Sequence, residues 1–211
     1  MEQYADTVQL IALAAGAALA SGINLYAVML VLGLLGRFAG VELPPGMELL
    51  QHPLVLGAAG AMFLAEFVAD KIPGLDSLWD ALHTFIRIPA GGLLAAGAAA
   101  PVGPDFAVAS GILGAGLAAS THATKAGGRL LINTSPEPFS NWGASLGEDA
   151  LVIAAMWLAV YHPWLFIGAA ALFLLLLAWL LPKLWRGVRM LLARIARLFG
   201  AGAPPARDSR L

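Results

Sequence analysis

The sequence predicts an all-α, polytopic transmembrane helix bundle with interrupted or re-entrant polar helices, and three observations carry that expectation. Hydrophobic letters make up 60% of the 211 residues and charged letters only 12%, with a mean hydropathy of +0.81. Soluble domains carry about 25% charged residues. Apolar runs recur along the chain, and at roughly 20 residues per crossing its length allows about five or six spans and no separate soluble domain. The few ionisable residues are gathered into short blocks, the pattern expected where charges in or near lipid pair with one another or face water.

The first apolar run, Val8 to Phe38, is interrupted by Ser21-Gly22-Ile23-Asn24. Asn24 needs polar partners in hydrocarbon, and Gly22 permits a bend or a close helix approach. Two expectations stand there: helix packing on small residues, or a discontinuous helix whose break lines a site. The N-terminal MEQYAD has two acids and no basic side chain, which argues against a secretory signal. Residues 39–52 read as a loop around Pro44-Pro45-Gly46, and Pro53 opens a second span from Leu54 to about Ile72. Glu66 sits deep in that span, whereas Asp70 and Lys71 are expected to reach the headgroup region.

Residues 75–87 form the densest ionisable block. At 100° per residue a helix places Asp76, Asp80, His83 and Arg87 on one stripe, with Leu78, Leu82 and Phe85 opposite. Pro101-Val102-Gly103-Pro104 then divides 89–119 into two helices joined by a tight turn. A second polar block follows, in which His122, Lys125, Arg129 and Asn133 share a helical face. The two blocks are expected to meet, with Asp76, Asp80 and His83 set against Lys125 and Arg129. Ser145 fits a helix N-cap with Glu148 as capping-box partner and Asp149 in the first turn. Ala150 to Tyr161 and Trp164 to Leu181 are further spans, each bounded by proline.

The C-terminal residues divide the chain into an integral domain over 1–182, a basic amphipathic interfacial helix over 183–200 and a disordered tail over 201–211. Lys183, Arg186, Arg189, Arg194 and Arg197 line the helix, suiting it to membrane lipid, and the positive-inside tendency puts them in the cytoplasm. Self-similarity, including Gln51-His52-Pro53 against Tyr161-His162-Pro163, suggests two related halves at 8–100 and 105–182 that pair the breaks near Asn24 and His122.

Cysteine is absent, which removes thiolate metal sites and cysteine nucleophiles. No phosphate-binding Gly-rich loop and no nucleophile elbow is present, and nothing requires a cofactor or points to nucleic acid. Asp80-x-x-His83, with Asp76 one turn earlier, has the spacing of metal ligands on one helix face, a weak signal because such pairs also simply hydrogen-bond.

Several of these motifs together, namely Ala20-Ser21-Gly22-Ile23-Asn24-Leu25-Tyr26, Asp70-Lys71-Ile72-Pro73, Trp79-Asp80, His83-Thr84, Ser120-Thr121-His122, Asn133-Thr134-Ser135-Pro136-Glu137-Pro138 and Glu148-Asp149, resemble a bacterial multi-pass membrane family catalogued as domain of unknown function 4126. The resemblance implies a bacterial inner-membrane location and brings no activity, substrate or catalytic residue.

The reading that follows is a small transporter or channel-like protein for protons, ions or a small polar solute. Its pathway residues are Asn24, Glu66, Asp76, Asp80, His83, Arg87, His122, Lys125 and Arg129. The alternative is a membrane assembly factor whose ion pairs serve stability alone. Either permits an oligomer.

Overall fold

The computed structural model describes residues 2–134 and 139–198; the expected tail at 201–211 lies outside the described residues. Among the described residues six helices follow in order: α1 (Glu2–Phe38), α2 (Pro53–Ala69), α3 (Leu75–Ala99), α4 (Pro104–Ile132), α5 (Phe139–Tyr161) and α6 (Pro163–Leu198). Short 3₁₀ turns occupy Pro45–Gln51 and Ala100–Val102. Five of the helices are long and apolar enough to cross a membrane, or six spans if the 3₁₀ turn and α2, bent by 70°, count as one.

Around α3 the polarity is inverted relative to a soluble protein. On α3 the whole stripe of Asp76, Asp80, His83 and Arg87 is buried, while Leu78, Leu82 and Phe85 are 56%, 61% and 83% exposed. Charges inside and large apolar side chains outside suit helices that are long and apolar enough to span a membrane.

α1 is not a straight rod. Asn24 takes φ −146° and ψ 97°, which breaks the helix there, and its Oδ1 accepts from the Ala27 N–H at 2.9 Å. Asn24 is thus the N-cap of a second limb. Unbroken, 37 residues would extend about 55 Å. Instead Val41, Glu42 and Pro44 line one cavity with Asp6, Gln9, Leu10 and Leu13. The chain therefore doubles back at Asn24, and both limbs open toward the same end of the bundle. The break of the discontinuous-helix expectation is present, and so is the small-residue packing, since a Cβ on Gly22 would collide with Thr121 and the Ala118 carbonyl of α4.

α1 forms the centre of the core, with Ala12, Ala17, Val28 and Leu32 wholly enclosed. α3 and α4 cross it at small residues. A Cβ on Gly91 would stand 2.5 Å from Ser21 Oγ and 2.6 Å from Ala118 Cβ, so α1, α3 and α4 meet where only hydrogen fits.

Two expected polar segments turn out to be parts of longer helices. Residues 75–87 open α3, which runs on through Pro89, and 120–132 close α4, so neither is re-entrant. Helix breakers in a membrane bundle are tolerated where neighbouring groups satisfy the freed carbonyl. No break at His122 matches the one at Asn24. α6 likewise continues through Pro182 to Leu198, so the basic residues ride on an extension of the last span. Ser145 is not an N-cap, because α5 begins at Phe139 and Ser145 lies inside it. The tight turn between α3 and α4 is present as expected.

Candidate functional site

The buried ion-pair network is assembled from four helices. α2 supplies Glu66 and, at its C-cap, Asp70, one turn apart. The Asp80 and Arg87 positions on α3 share the buried stripe, α4 presents Lys125 and Arg129 one turn apart, and α5 contributes Glu148. Arg87 Nη2 lies 2.6 Å from Glu66 Oε1, and Nη1 lies 2.7 Å from Asp80 Oδ1. Lys125 Nζ reaches Glu66 at 3.1 Å, Asp70 at 2.9 Å, Glu148 at 3.4 Å and Asp80 at 3.8 Å. Arg129 Nη2 lies 2.7 Å from Glu148 and 3.4 Å from Asp70, while Nη1 donates to the carbonyls of Asp70 and Asn141.

Four carboxylates thus surround three cations, and the side chains are at most 3% exposed except Glu148, at 21%. Removing ions from water costs several kcal/mol each, recovered only where geometry and additional hydrogen bonds are good. The network is incomplete in that respect. Glu66 Oε2, Asp70 Oδ1, Asp80 Oδ2 and the neighbouring Asp149 Oδ2 are buried without a hydrogen-bond partner among the described residues.

The break in α1 feeds the same place. It frees the Ile23 carbonyl, which accepts from Lys125 Nζ at 3.1 Å, and Asn24 Nδ2 donates to Asp149 Oδ1 at 2.9 Å. A helix C-terminus with open carbonyls carries partial negative charge, so the broken limb adds to the acid side of the site.

Two histidines flank the ions. His122 lies 3.3 Å from Arg87 Nη1 through Nδ1 and 2.7 Å from Thr84 Oγ1 through Nε2. His83 stacks on Trp79 and meets the Tyr26 hydroxyl at 3.0 Å. At the basic end, Lys71 donates to Ser145 Oγ at 3.4 Å, and burial pulls its ammonium below the ordinary lysine range against the opposing pull of Asp149 and Asp70.

The structure brings the two polar blocks together but alters the expected partners. Asp80 does approach Lys125, yet its closer cation is Arg87 on its own helix. Asp76 caps α3 through the Gly74 and Ser77 N–H groups and accepts from Asn133, because a carboxylate at a helix N-terminus finds free donors there. Lys125 and Arg129 instead take Glu66, Asp70 and Glu148 from the helices on either side of α4. Asp70 is buried in the network and does not reach headgroups. Among the described residues no three or more His, Asp or Glu side chains gather as a metal site, and Asp76, Asp80 and His83 face different partners. Lys183, Arg186, Arg189, Arg194 and Arg197 are exposed on α6, away from the network.

The chain matches the family described as Domain of unknown function (DUF4126) over residues 11–183. It belongs to that family. The match covers every residue of the network, so the buried ion pairs lie within the DUF4126 domain, while the basic extension of α6 falls almost wholly beyond it. No curated protein and no solved structure matches this DUF4126 chain.

Proposed function

We propose that the protein is a bacterial inner-membrane transport or channel-like protein, moving protons, ions or a small polar solute through the site at the break in α1. The observation that carries this reading is the excess of one carboxylate over the cations, with buried carboxylate oxygens left unpartnered. A purely structural network gains by balancing and saturating its charges. An unbalanced one is suited to take up and release a positive charge, with the imidazoles of His122 and His83 beside it as hydrogen-bonding groups. Broken helices at mid-depth serve this purpose in transporters generally, because their open ends face the solute.

Orientation follows from charge. The end of the bundle that gathers both α1 limbs carries Asp6, Glu42, Glu48 and Asp105 against Arg37, whereas α6 ends in five cations at the opposite end. The positive-inside tendency makes the basic end cytoplasmic.

The test is Asp80→Asn in proteoliposomes loaded with a pH-sensitive dye and energised by a cation gradient. Wild type is expected to pass charge, and the variant, folded by the same Trp fluorescence, to lose most of it. Equal flux in the two, or none in wild type under any gradient, would refute the reading. The complete enclosure of Glu66, Asp80 and Arg87 favours a second reading, a membrane assembly factor braced by these pairs. On that reading Asp80→Asn lowers stability and changes no flux.

A further inference from the structure

α6 stands over a gap between α4 and α5 that reaches α1, and two cavities meet under it. One, of about 130 Å³, is walled entirely by apolar side chains, among them Leu19, Ala155, Phe166 and Ala170. The other, of about 190 Å³, is floored by Lys125, Arg129 and Glu148. Ile23, Leu151 and Phe173 line both, so the two adjoin as one mostly apolar slot, with Lys125, Arg129 and Glu148 at the edge of its second half. We propose that this slot binds an anionic single-chain amphiphile from the bilayer, with its chain along α1, α5 and α6 and its head on Arg129. The inference rests on the transport reading and names a substrate class for that site.

One feature points to an anionic head, and a second gives it a way in. Arg129 Nε, like Arg87 Nε, is buried without an acceptor among the described residues although the rest of the guanidinium is engaged, and of the two arginines only Arg129 lines the slot. An added acceptor would complete it. Glu148, which holds Arg129 Nη2 at 2.7 Å, is the one member of the network with an open side chain. It is the carboxylate that an incoming anion can replace. Glu148 faces Lys125 and Arg129 of α4, with Asp70 of α2 on their far side. If Glu148 takes a proton as it leaves Arg129, one negative charge and one proton enter together and the charge of the network is unchanged. The apolar half fixes the rest of the ligand, because a soluble anion has no use for a slot without polar walls.

The experiment uses full-length protein in phosphatidylcholine nanodiscs. Binding of 1-oleoyl lysophosphatidate, oleate and uncharged 1-oleoylglycerol is measured by equilibrium partition. The two anions are expected to bind saturably, at least tenfold more tightly than the glyceride, and their order separates a phosphate from a carboxylate preference. Leu151→Trp, at a position already 46% exposed, is expected to fill the slot and weaken anion binding at least tenfold. Glu148→Gln, which releases Arg129 without removing it, is expected to tighten binding several-fold. Equal affinity for the glyceride, or binding indifferent to Leu151→Trp, would overturn the inference. Ion flux persisting in the Asp80 assay without amphiphile binding would overturn it too, leaving the transport reading in place.

Discussion

Replacing Arg87 is the sharpest test of what holds the interior together. Its side chain is fully enclosed and its two Nη atoms serve Glu66 at 2.6 Å and Asp80 at 2.7 Å. Arg87→Met keeps an unbranched stem but leaves four carboxylates to two cations. Lys125 must then serve Glu66, Asp70 and Asp80, the last from 3.8 Å. Truncating one partner of a buried pair costs about 3–5 kcal/mol, because the remaining charge stays desolvated, and that is the loss expected here. Adding Asp80→Asn to the Met background restores the wild-type excess of one carboxylate. The double variant is therefore expected to recover about 1–3 kcal/mol of the loss, the usual scale of coupling between residues in contact. Equilibrium unfolding in mixed micelles, followed by Trp fluorescence, measures both. A single-variant loss under about 1 kcal/mol, typical of surface substitutions, would refute the argument. So would a double variant as unstable as the sum of its parts.

The remaining predictions address the break, the crossing and the topology. Since Asn24 both caps the second limb and holds Asp149, Asn24→Ala is expected to cost about 2–4 kcal/mol from a lost cap and an orphaned buried carboxylate. Asn24→Asp should instead give pH-dependent unfolding: two carboxylates share the site, so stability rises as acid allows them to share a proton, and a flat profile between pH 5 and about pH 8 would contradict this. Gly91→Ala is expected to cost about 1–3 kcal/mol by overpacking, while Gly57→Ala, where an added Cβ meets nothing within 4 Å, should be neutral or mildly stabilising in the same unfolding assay. In this cysteine-free chain, single cysteines at Asp6 and Glu42 should react with an impermeant thiol reagent from one face of the membrane and a cysteine at Thr134 from the other. Labelling of positions 6 and 42 from opposite faces would mean that α1 crosses straight through.

Much of the bundle was legible because its signals are local. The α3 stripe follows from a 100° turn per residue alone, and the exposures of Leu78, Leu82 and Phe85 match it. The tight turn at Pro101–Pro104 needed only backbone chemistry. Chain direction after Asn24 was not legible, because a polar residue in an apolar run gives the same letters whether the helix packs, kinks or reverses. The partner choice of Lys125 was also hidden. Asp70 and Glu148 each had a sufficient local explanation, headgroup reach for one and helix capping for the other, and only tertiary packing shows that they converge. One local signal does bear on it: Glu66 and Asp70 sit at i and i+4, so if one is buried on a helix face the other tends to follow. The prolines misled in the opposite direction. Pro89 and Pro182 read as stops, yet α3 and α6 continue through them, since in a bundle the surroundings and not the proline decide whether the freed carbonyl is tolerated.

The two ends of the network differ in their exposure, and on the transport reading that separates what each end does. At the deep end Glu66 and Asp80 each leave an oxygen unpartnered, and the Ile23 carbonyl adds the negative pole of a broken helix. On the transport reading that end takes the proton or cation, with Arg87, whose Nε is also without an acceptor among the described residues, between its two acids. At the open end Arg129 keeps an unpartnered Nε beside the single carboxylate with an open side chain. On the amphiphile proposal that end takes the anion as Glu148 gives way. Lys125 touches both, from Glu66 at 3.1 Å to Glu148 at 3.4 Å, so a change in charge at one end alters the potential at the other across a single ammonium group. On the transport reading, coupling between a positive and a negative passenger requires no moving part larger than the Lys125 side chain, and Lys125→Met should separate the two: anion binding should then lose its response to Asp80→Asn. Binding that still responds to Asp80→Asn in the Lys125→Met background would show that the coupling runs elsewhere.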